Sequence, residues 1–162
     1  MENTMAEVKN IVEILQVGIS RETEANVFYN LLSQYVQDSQ ISQLCKELAG
    51  EELEHRARLE LEITKLGRTS KASDSKGNPN LMPLDYMVNM SDIIHMDYED
   101  LLILAMRKEK ESFRFYVELL SLVSNNPLRE VIIELAEEEA RHKIRFEIQY
   151  DMYISNRKNP PE

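Results

Sequence analysis

The sequence predicts an all-α fold, a four-helix bundle built from two helical hairpins joined by a long crossover. Composition is the first reason. The chain has 162 residues, 43% of them hydrophobic, with four Gly, five Pro and no Trp, a mix that favours helix over sheet and suffices for one core. The second reason is spacing, because apolar residues recur at alternating steps of three and four along four segments, as on one face of a helix. The third is an internal repeat: adding 87 to the positions of the first two stripes lands on the second two without a gap. The expected organisation is a single domain over 1–162, with hairpins over 7–66 and 97–155 and a crossover over 67–96.

The first stripe carries Leu15, Gly18, Glu22, Ala25, Tyr29, Leu32 and Val36, and the polar QDSQ (37–40) ends it. The second carries Ile41, Cys45, Leu48, Glu52, His55 and Leu59, with Gly67 as its expected C-cap. GRTSKASDSKGNPNLMP (67–83) reads as loop from its Gly, Asn and Pro. The third stripe runs Leu102, Ala105, Glu109, Ser112, Tyr116, Leu119 and Val123; the fourth runs Leu128, Ile132, Leu135, Glu139, His142, Phe146, Gln149 and Tyr153. Between them lies SNNP (124–127), with Asn126 expected as N-cap and Pro127 at the first helical position. Most of the eight Met are expected as core filler.

Charge narrows the partners. Nineteen basic residues against 29 acidic ones give a formal net charge of −10, which repels phosphate backbones and anionic lipid, so no nucleic acid and no membrane partner is expected. The lone Cys45 excludes an intrachain disulfide framework and any Cys-based zinc or iron site. MENTMAEVKN lacks the basic start and apolar run of a signal peptide, and a cytoplasmic location is expected.

The repeat also relates polar residues. Glu22, Tyr29, Glu52 and His55 map onto Glu109, Tyr116, Glu139 and His142. In an antiparallel hairpin, residues at one height are equidistant from the turn. The midpoint of Glu22 and Glu52 falls at residue 37, and that of Glu109 and Glu139 falls at Ser124, both in turn sequence. Each lone Glu therefore meets a Glu-x-x-His at one level, roughly 22 Å from its turn at about 1.5 Å per residue. Six polar residues thus interrupt stripes that should form the core, where an uncompensated carboxylate costs several kcal/mol. Two divalent cations would cancel four carboxylate charges, and an oxygen-rich set with two imidazoles and no thiolate suits iron or manganese rather than structural zinc.

Glutamates from two helices with Glu-x-x-His from two others resemble the dinuclear carboxylate pattern of ferritin-like bundles. Glu22 with Phe28-Tyr29, GEELEH (50–55), Glu109 with Phe115-Tyr116, and EEEARH (137–142) are most similar to the diiron domain of the rubrerythrin family, over roughly residues 7–155. The resemblance implies two iron ions, with manganese possible, bridged by Glu52 and Glu139. Glu22 and Glu109 would be terminal ligands, and His55 and His142 would bind one ion each. Tyr29 and Tyr116 would hydrogen bond to carboxylates across the bundle, although core tyrosines at helix interfaces are also common. The implied reaction reduces hydrogen peroxide or oxygen. No Cys-x-x-Cys pairs of a rubredoxin module are present, so electrons are expected from an external donor protein. A homodimer is implied as well. Ser112 stands where many members carry a further Glu, and Glu111 falls one position early.

Matched hairpins at one level would put the second and third helices parallel, which needs a crossover as long as the bundle. The plainer alternative for the six polar residues, a solvated face, conflicts with their place on the apolar stripes. A site that carries or senses metal without turnover remains the alternative function, and a metal-free helical adaptor a third. Cys45 is expected as a small buried apolar group and His95 as a surface or capping residue.

Overall fold

Helices fill nearly all of the chain that the computed structural model describes, residues 2–68 and 95–158, with side chains from residue 9 onward. They are α1 (Glu2–Tyr35), α2 (Ser39–Lys65), α3 (Tyr98–Leu122) and α4 (Asn126–Lys158). Most of the expected crossover lies outside the described residues.

Local chemistry sets the ends. Asp38 caps α2, its side chain accepting from the backbone N–H groups of Gln40 at 2.9 Å and Ile41 at 3.0 Å. Gly67 ends that helix at φ +71°, with Arg68 N donating to Ile63 O at 3.2 Å and Gly67 N to Thr64 O at 2.9 Å, the paired bonds of a glycine C-cap. Asp97 caps α3 through the N–H of Asp100. The cap of α4 lies one residue earlier than expected. Asn125, rather than Asn126, accepts from Leu128 N at 3.2 Å through Oδ1, and its carbonyl takes the first helical bond from Arg129. Asn126 is then the first helical residue and Pro127 the second, still within the turn whose N–H groups have no helical partner.

Contacts between the hairpins fix the helix directions. Along α1 and α3, Tyr116 bonds to Glu22 and Tyr29 to Glu109, so one helix ascends as the other descends. Along α2 and α4, Arg58 meets Glu134 and Arg145 meets Glu47, again antiparallel. Since α1 and α2 form an antiparallel hairpin, α2 and α3 run parallel, as the matched levels required. All four stripes face inward. Their buried members form two apolar clusters, one around Leu15, Ile19, Leu59, Ile63, Leu119, Ile132 and Leu135, the other around Leu32, Ile41, Leu48, Leu102, Ala105 and Phe146. Gly18 leaves room within the first of these: a Cβ there would lie 2.9 Å from Leu59 and 3.4 Å from Phe115.

Cys45 is fully buried and His95 exposed. The methionines depart from expectation: among the described residues Met96 and Met106 only flank the core and Met152 is half exposed. No helix among the described residues is long and apolar enough to cross a membrane.

Candidate metal centre

A polar layer separates the two apolar clusters. Glu22 comes from α1, Glu52 and His55 from α2, Glu109 from α3, and Glu139 and His142 from α4, and each is at most 2% exposed. All six residues singled out by the repeat therefore converge. On α2 and on α4 a spacing of three projects Glu and His from one helix face.

His55 Nδ1 lies 2.9 Å from Glu139, 3.4 Å from Glu52 and 3.7 Å from Glu22. His142 Nδ1 lies 3.5 Å from both Glu52 and Glu109 and 3.7 Å from Glu139. The two imidazoles stack nearly parallel, at 9° with centroids 5.5 Å apart. Two groups can each hold an ion: Glu22, Glu52, His55 and Glu139 in one, Glu52, Glu109, Glu139 and His142 in the other, with ligand atoms within 4.8 Å of one another. Glu52 and Glu139 belong to both.

Buried polar atoms normally find hydrogen bonds. Here, among the described residues, both oxygens of Glu52 and of Glu139, Glu109 Oε2, His55 Nδ1 and His142 Nδ1 have none. Each such atom costs about 1–3 kcal/mol, and more when charged. They point into the same small volume, and carboxylate oxygens with imidazole nitrogens are the donors that iron and manganese accept. The residues present fit a pair of divalent cations.

Electrostatics agree with that fit. Burial, then the charge of Glu52, raises Glu22 to about 7, and burial with the charge of Glu139 lifts Glu109 well above the usual carboxylate range. Burial and Glu139 also push Glu52 upward, but the Glu22 carboxyl and the two imidazoles outweigh them and hold it at about 2. Burial opposes charge on His142, yet the carboxylates around it carry it up to about 12, and His55 is raised likewise. Without cations the layer holds its charges apart with protons. Tyr29 donates its hydroxyl to Glu109 Oε1 and Tyr116 donates to Glu22 Oε1. Tyr29 also stacks on Phe146, at 5.8 Å and 15°. Glu111 stays out of the layer: its side chain pairs with Arg114 at 3.7 Å, and Ser112 occupies the buried position.

An outer ring escaped the sequence reading. His55 Nε2 lies 2.7 Å from Glu138 Oε2, and Arg58 Nη1 donates to both oxygens of Glu138, at 3.0 and 3.1 Å, while its Nη2 reaches Glu134 at 2.6 Å. His142 Nε2 lies 2.8 Å from Glu51, which accepts from Arg145 at 2.9 Å, and Arg145 also reaches Glu47 at 2.6 Å. The repeat could have found them, since 87 added to Glu47, Glu51 and Arg58 gives Glu134, Glu138 and Arg145.

The Rubrerythrin family model matches residues 13–150. Among solved structures, the bacterioferritin of Desulfovibrio desulfuricans superposes with a TM-score of 0.74 at 16% identity, covering 96% of this chain and 84% of that one. A dodecameric thioferritin from Bacteroides fragilis gives 0.73 at 17%, covering 93% and 89%. The manganese catalase KatB of Anabaena PCC7120 gives 0.66 at 17%, covering 93% and 76%. No curated protein matches the sequence. The fold is the ferritin-like four-helix bundle that the two hairpins predict.

Proposed function

The chain belongs to the rubrerythrin family, and from that premise we propose that its polar layer holds two iron ions and reduces hydrogen peroxide with electrons from an external donor protein. The observation that carries this reading is the set of buried oxygens and nitrogens without hydrogen-bond partners, which divide into two four-residue groups sharing Glu52 and Glu139. In it Glu52 and Glu139 would be shared by the two ions, with Glu22 and His55 holding one and Glu109 and His142 holding the other. A homodimer belongs to the same reading, by family likeness. The chemistry such a pair of ferrous ions would supply, when bound, is the two electrons that with two protons convert one peroxide into two waters.

The chain's own residues provide the rest. Leu15, Ile19, Leu59 and Leu135 on one side of the layer and Leu48, Leu102, Ala105 and Phe146 on the other keep bulk water out. Water exclusion strengthens every charge interaction within. Tyr29 and Tyr116 hold one oxygen each of Glu109 and Glu22, leaving the other oxygen of each carboxylate to turn towards the cluster.

Manganese is the second reading for the metal, favoured by the all-oxygen and imidazole donor set and by likeness to a manganese catalase. The reaction is tested by loading the protein with ferrous iron without oxygen and mixing it with peroxide in a stopped-flow spectrometer. Oxidation of the iron within seconds, followed by re-reduction with an electron donor and repeated consumption of peroxide, supports it. Iron that binds but stays ferrous under peroxide leaves a metal-handling protein without peroxidase turnover.

A further inference from the structure

Each histidine of the polar layer is gripped from the opposite hairpin. His55 on α2 has its outer nitrogen against Glu138 of α4 at 2.7 Å, and His142 on α4 has its outer nitrogen against Glu51 of α2 at 2.8 Å. Each of these carboxylates also accepts from a guanidinium, Glu138 from Arg58 at 3.0 and 3.1 Å and Glu51 from Arg145 at 2.9 Å, so each faces its imidazole as a hydrogen-bond acceptor. Nε2 is the nitrogen that donates to it, which leaves Nδ1 as the nitrogen turned into the cluster.

The grip is itself braced. Arg58 forks onto both oxygens of Glu138 and onto Glu134, and Arg145 reaches Glu51 and Glu47. Planar guanidinium contacts of this kind fix orientation as well as distance. The braces recur in both halves of the repeat, as Glu47/Glu134, Glu51/Glu138 and Arg58/Arg145, whereas other outer positions have diverged, Glu54 to Arg141 and Lys65 to Met152. Stability does not account for them. The Arg and Glu side chains are 29% to 64% exposed, and pairs at such exposure contribute about 0–1 kcal/mol each.

We propose that Glu138 and Glu51 are positioning residues, each aiming the metal-facing nitrogen of the histidine that belongs to the other hairpin and each locked by Arg58 or Arg145. The two ion positions then assemble only when the hairpins are docked in register. This rests on the reading of the layer as a two-ion centre, and the test separates the two claims.

The test is a double-mutant cycle read by cobalt(II) titration, following visible absorbance and calorimetric heat, with circular dichroism confirming that every variant remains helical. Wild-type protein is expected to bind two ions. In a His142→Ala background, where only the His55 position keeps its imidazole, Glu138→Ala is expected to weaken the remaining site about 10- to 100-fold. In a His55→Ala background the same change is expected to add nothing, and Glu51→Ala gives the mirror result. Glu138→Gln, which keeps an acceptor oxygen but loses the charge, falls between wild type and Ala. A Glu138→Ala effect that is equal in both backgrounds, or absent from both, overturns the positioning role while leaving the two-ion centre standing. Wild-type protein that binds no cobalt overturns the centre and the positioning role together.

Discussion

Tyr29 on α1 donates its hydroxyl to Glu109 on α3, and 87 residues later Tyr116 on α3 returns the same bond to Glu22 on α1. The bond thus ties the hairpins together at the level of the polar layer. Tyr29→Phe keeps the ring stacked on Phe146 but strands a fully buried carboxylate oxygen. The expected loss of stability in the metal-free protein is about 1–3 kcal/mol, measured by urea unfolding, with the helical spectrum unchanged. Equal stability for the variant and the parent would show that Glu109 does not depend on the bond.

Removing a shared ligand should differ from removing an unshared one. Glu52 and Glu139 lie in both four-residue groups, whereas Glu22 and Glu109 lie in one each. Elemental analysis of anaerobically loaded Glu52→Ala or Glu139→Ala is expected to show metal falling from two ions towards none, and that of Glu22→Ala or Glu109→Ala towards one. Equal loss for all four would mean that the bridging assignment is wrong.

Metal uptake should expel protons. Glu22 is raised to about 7 by burial and the Glu52 charge, Glu109 is raised well above its ordinary range, His142 is raised to about 12 by the surrounding carboxylates, and His55 is raised likewise. Glu22 and His142 are largely protonated at pH 6.5 without metal, and each must lose its proton to bind a cation. Binding two divalent ions at that pH is expected to release about two protons or more, read with an indicator dye in weak buffer. Cations compete with those protons, so apparent affinity rises with pH below 7 and the rise flattens as pH passes about 7, where Glu22 titrates. Affinity that is flat between pH 5.5 and 7.5 would contradict the assignment of Glu22.

Cys45 gives a check on packing away from the layer. It is fully buried among Tyr29, Leu48 and Phe146, and burial pushes its thiol up to about 12. The thiolate is the reactive form. Labelling by an aromatic disulfide reagent at pH 8 is expected to track global unfolding, slow in native protein and immediate in denaturant. Rapid labelling of the native protein would show that the apolar cluster around Cys45 opens locally.

Much of this was legible in the sequence because helical spacing and hairpin geometry both act at a distance of tens of residues. The interruption of apolar stripes by Glu22, Glu52, His55, Glu109, Glu139 and His142 is a pattern of period 3.6, and the turns at 37 and 124 set their heights. Periodicity reports which face a residue lies on, and says nothing of which side chain on the next helix it meets. Glu51 and Arg58 therefore read as an ordinary solvated flank, and only the packing of α2 on α4 joins them to His142 and Glu138. The shift of the α4 cap from Asn126 to Asn125 has a local cause. Adjacent asparagines compete for one role, and the one whose Oδ1 reaches Leu128 N takes it.

On the two-ion reading, two cations hold four inward carboxylates in an apolar bundle, and an anaerobic ferrous iron titration tests this most directly. Wild-type protein is expected to saturate at two ions per chain and to gain thermal stability on loading. Uptake that never saturates, or that is matched by a Glu52→Ala/Glu139→Ala double variant, would contradict it.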